Sequence, residues 1–461
     1  MKKTNIFWRR WVPVFLSAAM LLSGCGSASG GASASGGIVS AGSGSAEDSV
    51  VSGSAVNSQS SETASAEAAE KSENSAGTSA NMAVNSGSSD TASAKAAEAE
   101  TTLQTVSDPD NAPKIDGLTY TGTMALQYAT CFNVYYYEGG YKLISVPKSG
   151  DYLLVPDGKE APKGLSDDIT VIGQPQNIYL AATSAMSLFC ALDSLNVITL
   201  CGIKADDWTI DAARKAMEDG SIIFAGKYNE PDYETMVEKN CDLAIESTMI
   251  LHNPEVQEMI ENIGIPVFID RSSYESEALG RTEWIKLYGA MVNKEDEAFA
   301  HFAEQTKVIS DLEGEKNTGK TVAFFSVGTD GTVTVRSGKD YIANMIKEGG
   351  GDYIFEDLDS GEDSSVSVSL SMEEFYNKAN QADYLIYNGA IENGLGSVQD
   401  LIDKSNTFAD FKAVRDGNVW QVGKSMYQAT DTVGQFITDV HLMLTGGDES
   451  KMTFLSRVAS K

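Results

Sequence analysis

The chain has 461 residues and a formal net charge of −31, from 65 acidic and 34 basic side chains. A surface this negative repels phosphate backbones and anionic headgroups, which excludes nucleic acid and acidic lipid as electrostatic partners. The part from residue 112 onward is long enough for two domains, each with a core of its own.

The N-terminus has the layout of an export signal. Basic residues precede an apolar run over residues 11–22, which is too short to span a bilayer. The run ends in LSGC at 22–25, which resembles the bacterial lipobox. That resemblance implies a signal peptide over residues 1–24 and lipidation of Cys25. We therefore expect the mature protein at the cell membrane, on its extracytoplasmic face and held by acyl chains.

Residues 25–107 are mostly Ser, Ala, Gly, Glu and Asn, with almost no large apolar side chains. Such a segment buries too little surface to offset the entropy lost on ordering, so it predicts a disordered tether. Turn residues then separate short apolar runs over residues 108–168, which predicts a small section of β-hairpins.

Strand and helix patterns alternate at short spacing over residues 169–292, which indicates a parallel sheet covered on both faces. We expect the first strand of this lobe at Ile169 to Ile172 and a helix from Tyr179 to Leu195. The alternation starts again over residues 314–461 and predicts a second lobe of the same kind.

Residues 293–313 predict the connection between the lobes. Apolar residues recur there at three- and four-residue spacing, and Asn293 offers an oxygen for the helix N-cap. The predicted fold is therefore α/β. It has two Rossmann-like lobes with mainly parallel sheets, joined by a single long helix.

Three short stretches carry a family resemblance. They are PDYE at 231–234 followed by CDLAI at 241–245, NIGIPVF at 262–268, and FKAVRDGNV at 411–419. In this order they resemble the substrate-binding lipoproteins of ABC importers, within the iron–siderophore, haem and cobalamin group. The resemblance implies capture of a small metal chelate or corrinoid and its delivery to an ABC permease in the membrane.

The same resemblance implies a monomer with no cofactor, no protein-bound metal and no enzymatic activity. The chain also lacks the G-x-S-x-G and H-E-x-x-H motifs of surface hydrolases. A surface receptor or sensing module that uses the fold without transport stays open as the alternative.

In this family one exposed glutamate per lobe docks into arginines of the permease. The resemblance places these glutamates at Glu234, ahead of the 241–245 strand, and at Glu373, ahead of a matching strand at 384–387. Glu374 is the alternative register for the second position.

Ligands of open parallel sheets bind beyond the carboxyl ends of the strands. The candidate ligand-binding residues at those ends are Lys227, Tyr228, Ser247, Thr248, Met249, Arg271, Ser272, Ser273, Tyr274, Tyr387, Asn388 and Tyr427. Arg271, beside two hydroxyls and Tyr274, is suited to pair with a carboxylate or chelate oxygen. Arg281 and Glu283 follow closely, and we expect them to form a structural ion pair.

Four cysteines remain beyond the predicted lipidation site: Cys131, Cys190, Cys201 and Cys241. An exported protein permits disulfides, and four cysteines allow three pairings. The apolar surroundings of Cys190 and Cys201 instead favour free buried thiols, and no Cys or His spacing is typical of a zinc site.

Overall fold

Three large sheets organise the computed structural model, which describes residues 102–310, 312, 315–358, 367–390 and 394–460. The predicted signal peptide, Cys25 and the tether up to residue 101 lie outside the described residues. None of the described helices combines the length and the apolar character needed to cross a membrane.

The first sheet has six strands in the order of the chain, antiparallel except for the last pair. These strands are β1 (Thr105–Val106), β2 (Tyr120–Met124), β3 (Asn133–Tyr137), β4 (Lys142–Val146), β5 (Gly150–Leu154) and β6 (Ile169–Ile172). The sheet begins inside the predicted tether, because β1 pairs with β2 and the Leu103 amide donates to Asp296.

The strand predicted to open the first lobe is instead the last strand of this sheet. β6 pairs in parallel with β5, with Leu154 opposite Ile172, and has no place in the lobe's own sheet. A short apolar run cannot indicate which of two neighbouring sheets will pair with it, because pairing is a tertiary choice. The boundary predicted between residues 168 and 169 is therefore misplaced.

The second sheet is parallel, has five strands and carries the first lobe, in the order β13-β12-β7-β8-β9. Its strands are β7 (Ile178–Leu180), β8 (Ile198–Cys201), β9 (Ile223–Phe224), β12 (Leu243–Ser247) and β13 (Val267–Asp270). A small hairpin, β10 (Gly226–Lys227) and β11 (Glu230–Pro231), follows β9. The helices are α1 (Met186–Ala191), α2 (Asp211–Glu218), α3 (Tyr233–Glu238) and α4 (Pro254–Asn262).

The prediction of a helix from Tyr179 was wrong, because Tyr179 lies in the central strand β7. Its neighbours Ile178 and Leu180 are also fully buried. A strand buried on both faces reads as a continuous apolar run, which periodicity alone does not distinguish from the start of a buried helix.

Two helices form the connection where the sequence predicted a single long one, α5 (Ala278–Val292) and α6 (Glu295–Ser310). Asn293 ends α5 in the left-handed conformation, φ 58°. Its side chain does not take the predicted N-cap role, because its oxygen accepts from Lys142 at 2.8 Å and its amide donates to Gln174. In α6, Phe302 belongs to the core of the first lobe and Leu312 beyond its end packs against that of the second.

The third sheet carries the second lobe, in the order β17-β15-β14-β18-β19-β20 with β16 also beside β14. Its strands are β14 (Lys320–Val327), β15 (Val333–Arg336), β16 (Gly351–Tyr353), β17 (Ser367–Leu370), β18 (Tyr384–Asn388), β19 (Val419–Val422) and β20 (Leu455–Arg457). Strands β16, β14, β18 and β19 are parallel. The helices are α7 (Tyr341–Glu348), α8 (Met372–Ala379), α9 (Val398–Lys404), α10 (Lys412–Asp416), α11 (Ser425–Gln428) and α12 (Gln435–Thr445).

The core of the first lobe is shared with the N-terminal sheet. Phe132, directly before β3, and Val134 of β3 pack in the same cluster as Leu180 and Trp284, and Phe132 meets Trp284 edge to face at 5.1 Å. The N-terminal sheet is thus part of the first lobe's packing. The two α/β lobes with mainly parallel sheets and a helical connection confirm the predicted fold class.

Candidate functional site

The carboxyl ends of the parallel strands in the two lobes face each other. Gln428, which follows β19, lies against residues that follow β8. Its amide oxygen accepts from the Thr209 backbone N–H at 2.8 Å and hydroxyl at 2.7 Å, and its amide nitrogen donates to the Asp207 carbonyl at 2.9 Å. Asn344 of α7 donates to the carbonyl of Ser276, which follows β13, at 2.8 Å. The predicted ligand region therefore lies at the boundary between the lobes.

The end of β13 presents the first part of the candidate site. The Arg271 guanidinium stacks over the Tyr274 ring, 4.3 Å from its centroid, and the arginine is only 9% exposed. Within the described residues this guanidinium has no hydrogen bond and no ion pair. A buried, unpaired cation is costly unless an anion reaches it, so Arg271 is suited to bind one.

The two serines beside Arg271 differ. Ser272 is buried and its hydroxyl donates to the Asp270 carboxylate at 2.6 Å, while Ser273 is exposed. Asp270 also accepts from the Tyr288 hydroxyl. Burial raises the pKa of Asp270, although these hydrogen bonds and the nearby Arg281 oppose the rise. The Ser272 hydroxyl is thus engaged in stabilising the end of β13, whereas the exposed Ser273 is accessible to a ligand.

The second lobe presents a hydrogen-bonded group around Tyr427. The hydroxyl of Tyr427 accepts from Arg336 at 3.0 Å and from the Asn388 amide at 2.9 Å. Both lone pairs are then occupied, and no described residue accepts the hydroxyl proton. Tyr427 is half-buried, so this O–H can donate to a bound oxygen.

Arg336 is the buried cation of this group. Burial by itself lowers the pKa of Arg336, but Tyr427, Asp340 and Tyr341 raise it on balance, so the cation persists. Arg336 is not among the binding residues that the sequence predicted. The sequence feature that could have identified Arg336 is an arginine at the end of a largely buried strand. A charged residue at such a position needs a partner or a ligand.

Arg281 lies between the parts of the candidate site that the first and the second lobe provide. It is 6% exposed, and its guanidinium lies 4.3 Å from the ring centroid of Tyr341, the first residue of α7. Its Nε makes no hydrogen bond within the described part of the chain. Arg281 therefore places a third buried cation at the boundary, near Asp270 on one side and Tyr341 on the other.

The predicted ion pair between Arg281 and Glu283 was wrong. Glu283 pairs with Lys286 at 2.6 Å and accepts from three backbone N–H groups of residues 127–129. Residues two apart on a helix point in different directions, whereas residues three apart face each other, so the spacing itself favoured Lys286.

The remaining candidates lie at other positions in and after the strands of the two lobes. Lys227 and Tyr228 lie in and after the β10 strand, where Lys227 is exposed. Ser247 caps the 3₁₀ turn Thr248–His252 by accepting from the Met249 amide at 3.4 Å. Tyr387 is fully buried, with its ring 5.7 Å from that of Phe325.

The two predicted docking glutamates occupy matching places. Glu234 is the second residue of α3, whose cap is Asp232, and Glu373 is the second residue of α8, whose cap is Ser371. Both are exposed. Glu374 instead completes the capping box by accepting from the Ser371 backbone at 2.8 Å, which leaves Glu373 as the better candidate.

The correspondence between the lobes extends to the strands that follow these helices. Asp242 precedes β12 and accepts from the backbone of Gln176 at 2.8 Å, at the start of the neighbouring strand β7. Asp383 precedes β18 and accepts from the backbone of Thr321 at 2.9 Å, in the neighbouring strand β14. Helix, aspartate and strand thus recur as a unit, which supports the internal repeat that places one exposed glutamate on each lobe.

All four described cysteines are unpaired. Cys201 and Cys241 are buried, and Cys131 and Cys190 are half-buried. Among the described residues, no cluster of three His, Cys, Asp or Glu side chains is arranged to hold a metal ion.

Residues 199–425 match the model of a family described as periplasmic binding protein. Two similar proteins of Methanocaldococcus jannaschii are described as uncharacterized lipoproteins. MJ0878 is 25% identical over 65% of this chain and 78% of its own length, and MJ0872 is 23% identical over 76% and 90%. A solved structure of a periplasmic binding protein from Veillonella parvula is 16% identical, covers 62% of this chain and 97% of its own, and has a TM-score of 0.50.

Proposed function

We propose that the protein captures a metal chelate or corrinoid outside the cytoplasm and delivers it to an ABC permease, and the match of residues 199–425 to the periplasmic binding protein family supports this role. The observation that carries the ligand class is the presence of three buried arginines at the lobe boundary, Arg271, Arg281 and Arg336, in a chain that is otherwise strongly acidic.

The charge of these arginines favours a ferric chelate over a corrinoid. No described carboxylate forms an ion pair with any of the three within 4.0 Å, so their charge is available to a ligand. Guanidinium groups bind carboxylate and chelate oxygens bidentately. The Tyr427 O–H adds a donor, and the Tyr274 ring adds an apolar face for the flat surface of a chelate.

Permease docking is assigned to Glu234 and Glu373. Both stand at the start of exposed helices, neither is engaged by another described side chain, and together they present one carboxylate per lobe. The membrane anchor is assigned to Cys25. The lipobox-like stretch supports it, as do the two similar proteins described as lipoproteins.

Thermal unfolding of the chain from residue 26 onward tests capture against a panel of ferric siderophores, haem, cobalamin and cobinamide. A ligand present at 100 times its Kd stabilises the folded state by about 2.7 kcal/mol and raises Tm accordingly. Arg336→Met removes the shift, whereas Arg457→Met, at an exposed arginine paired with Glu449, keeps it. A panel without any shift, for a well-folded sample, refutes the chelate assignment.

Uptake by cells distinguishes an importer component from a receptor. Glu234→Ala combined with Glu373→Ala abolishes uptake of the identified chelate while leaving its Kd unchanged. The matched control is Glu238→Ala, an exposed acid on the same helix as Glu234. Normal uptake in the double variant refutes permease docking and favours the receptor alternative.

A further inference from the structure

A loop of the N-terminal sheet reaches the candidate ligand site. This β2–β3 loop, residues 125–132, joins two antiparallel strands that lie outside the family match at 199–425. Its backbone is held by two buried carboxylates. Glu283 accepts from the N–H groups of Gln127, Tyr128 and Ala129 at 2.7 to 2.9 Å. Glu275 accepts from the N–H groups of Thr130 and Cys131 at 2.8 and 2.9 Å.

These carboxylates fix the position of the loop. Charge-assisted hydrogen bonds to backbone N–H groups are about twice as strong as neutral ones. Glu275 is only 2% exposed, and it also accepts from the indole of Trp284 at 3.0 Å. The loop is therefore held as a rigid element against α5 and against the residues that lead into α5.

The docked loop brings the Cys131 thiol next to the end of β13. Glu275, which holds Cys131, directly follows Tyr274, the ring on which Arg271 stacks. Burial raises the pKa of Cys131 to about 11, with a further rise from Glu275 and an opposing effect from the positive charge of Arg271. The thiol and the guanidinium thus lie within electrostatic reach of each other, and the Arg271 cation has no hydrogen-bond or ion-pair partner among the described residues.

We propose that the β2–β3 loop forms a wall of the ligand site and that an anionic group bound by Arg271 lies against Cys131. This inference rests on the proposed function for the identity of the ligand, which would be a chelate with acidic oxygens. The three arginines of the site lie inside the matched region and Tyr427 lies just beyond it, whereas the loop lies far from that region in sequence, so the loop is a part that adjusts selectivity in this chain.

Alkylation with reagents of different charge tests the juxtaposition without any chelate. Iodoacetate is an anion and iodoacetamide is neutral, and both are attacked by a thiolate that displaces iodide. The rate ratio of the two reagents is measured for each thiol by peptide mass spectrometry, on the chain from residue 26 onward. Cys190 is the control, because it is half-buried like Cys131 and burial raises its pKa to about 11 as well.

We expect Arg271→Gln to lower the iodoacetate to iodoacetamide ratio at Cys131 by about threefold, the size of one partly screened charge interaction. The ratio at Cys190 should not change, and Arg271→Lys, which keeps the charge, should retain most of the ratio at Cys131. Protection of the buried Cys201 and Cys241 from both reagents shows that each variant is folded.

An equal ratio at Cys131 in the native protein and Arg271→Gln overturns the assignment of the loop to the site. A parallel change at both thiols overturns it as well, since a general change in accessibility would then be the cause. These outcomes are distinguishable from a failure of the proposed function. If the proposed function is wrong, no chelate in the panel shifts Tm, but the alkylation ratio at Cys131 still depends on Arg271.

Discussion

Replacing Glu283 with Gln should destabilise the protein strongly, because this carboxylate is fully buried and carries several roles. It neutralises Lys286 at 2.6 Å and accepts the three N–H groups of residues 127–129. An amide keeps the shape but loses the charge, and its nitrogen faces groups that are themselves donors. Lys286 is then left as a buried cation, 2% exposed, without an anionic partner.

The expected loss follows from the geometry. Removing one partner of a buried pair costs about 3–5 kcal/mol. With an unfolding entropy near 2.1 cal/mol/K per residue and about 350 folded residues, each kcal/mol lowers Tm by roughly 1.4 °C. The Glu283→Gln variant should therefore melt about 4–7 °C below the native protein in scanning calorimetry.

Two further variants make this test specific. Glu238→Gln removes an exposed carboxylate 3.1 Å from Lys239 and should cost less than about 0.5 kcal/mol. Adding Lys286→Met to Glu283→Gln should recover part of the loss, because no buried cation then remains unpaired. A fall in Tm for Glu283→Gln no larger than that of Glu238→Gln would refute the reasoning that this carboxylate anchors the loop.

Three other variants give distinct expectations. Burial raises the pKa of the unpaired Glu246 well above 4.5, so its stabilising effect is complete below that pH and is lost as the pH rises through the folded-state value. Glu246→Gln should raise Tm at pH 8 and leave it unchanged at pH 4.5; an equal effect at both pH values would contradict this. Gln428→Ala removes the bonds to Thr209 and should lower the free energy of unfolding by about 1–3 kcal/mol and loosen the lobes, which small-angle scattering would detect as a larger radius of gyration. Gly338→Ala would set a Cβ 1.9 Å from a backbone oxygen and should cost more than about 2 kcal/mol in urea unfolding, while Gly423→Ala, with open space, should cost under about 1.

The residue pattern alone was enough to predict the alternating lobes. Strands such as Leu243–Ser247 and Tyr384–Asn388 have continuous apolar runs bounded by helix caps, and these signals are local. The matching positions of Glu234 and Glu373 were also readable, since each stands at the start of a helix that leads into a strand.

The choice between Glu373 and Glu374 needed the structure. Two adjacent acids at a helix start look alike in sequence, and only the capping contact with Ser371 separates them. The same holds for Tyr179, because a buried strand and a buried helix start share an apolar run.

The composition alone determined that the chain is acidic, and the order of apolar and polar residues determined the two lobes and the helical character of their connection. The tertiary structure decided which sheet contains Ile169–Ile172. It also decided that Glu283 pairs with Lys286, which leaves Arg281 without an ion pair among the described residues. It also gathered Arg271, Arg281 and Arg336 at one boundary. These outcomes depend on strand pairing and helix docking between segments distant in sequence, and no local pattern records such contacts.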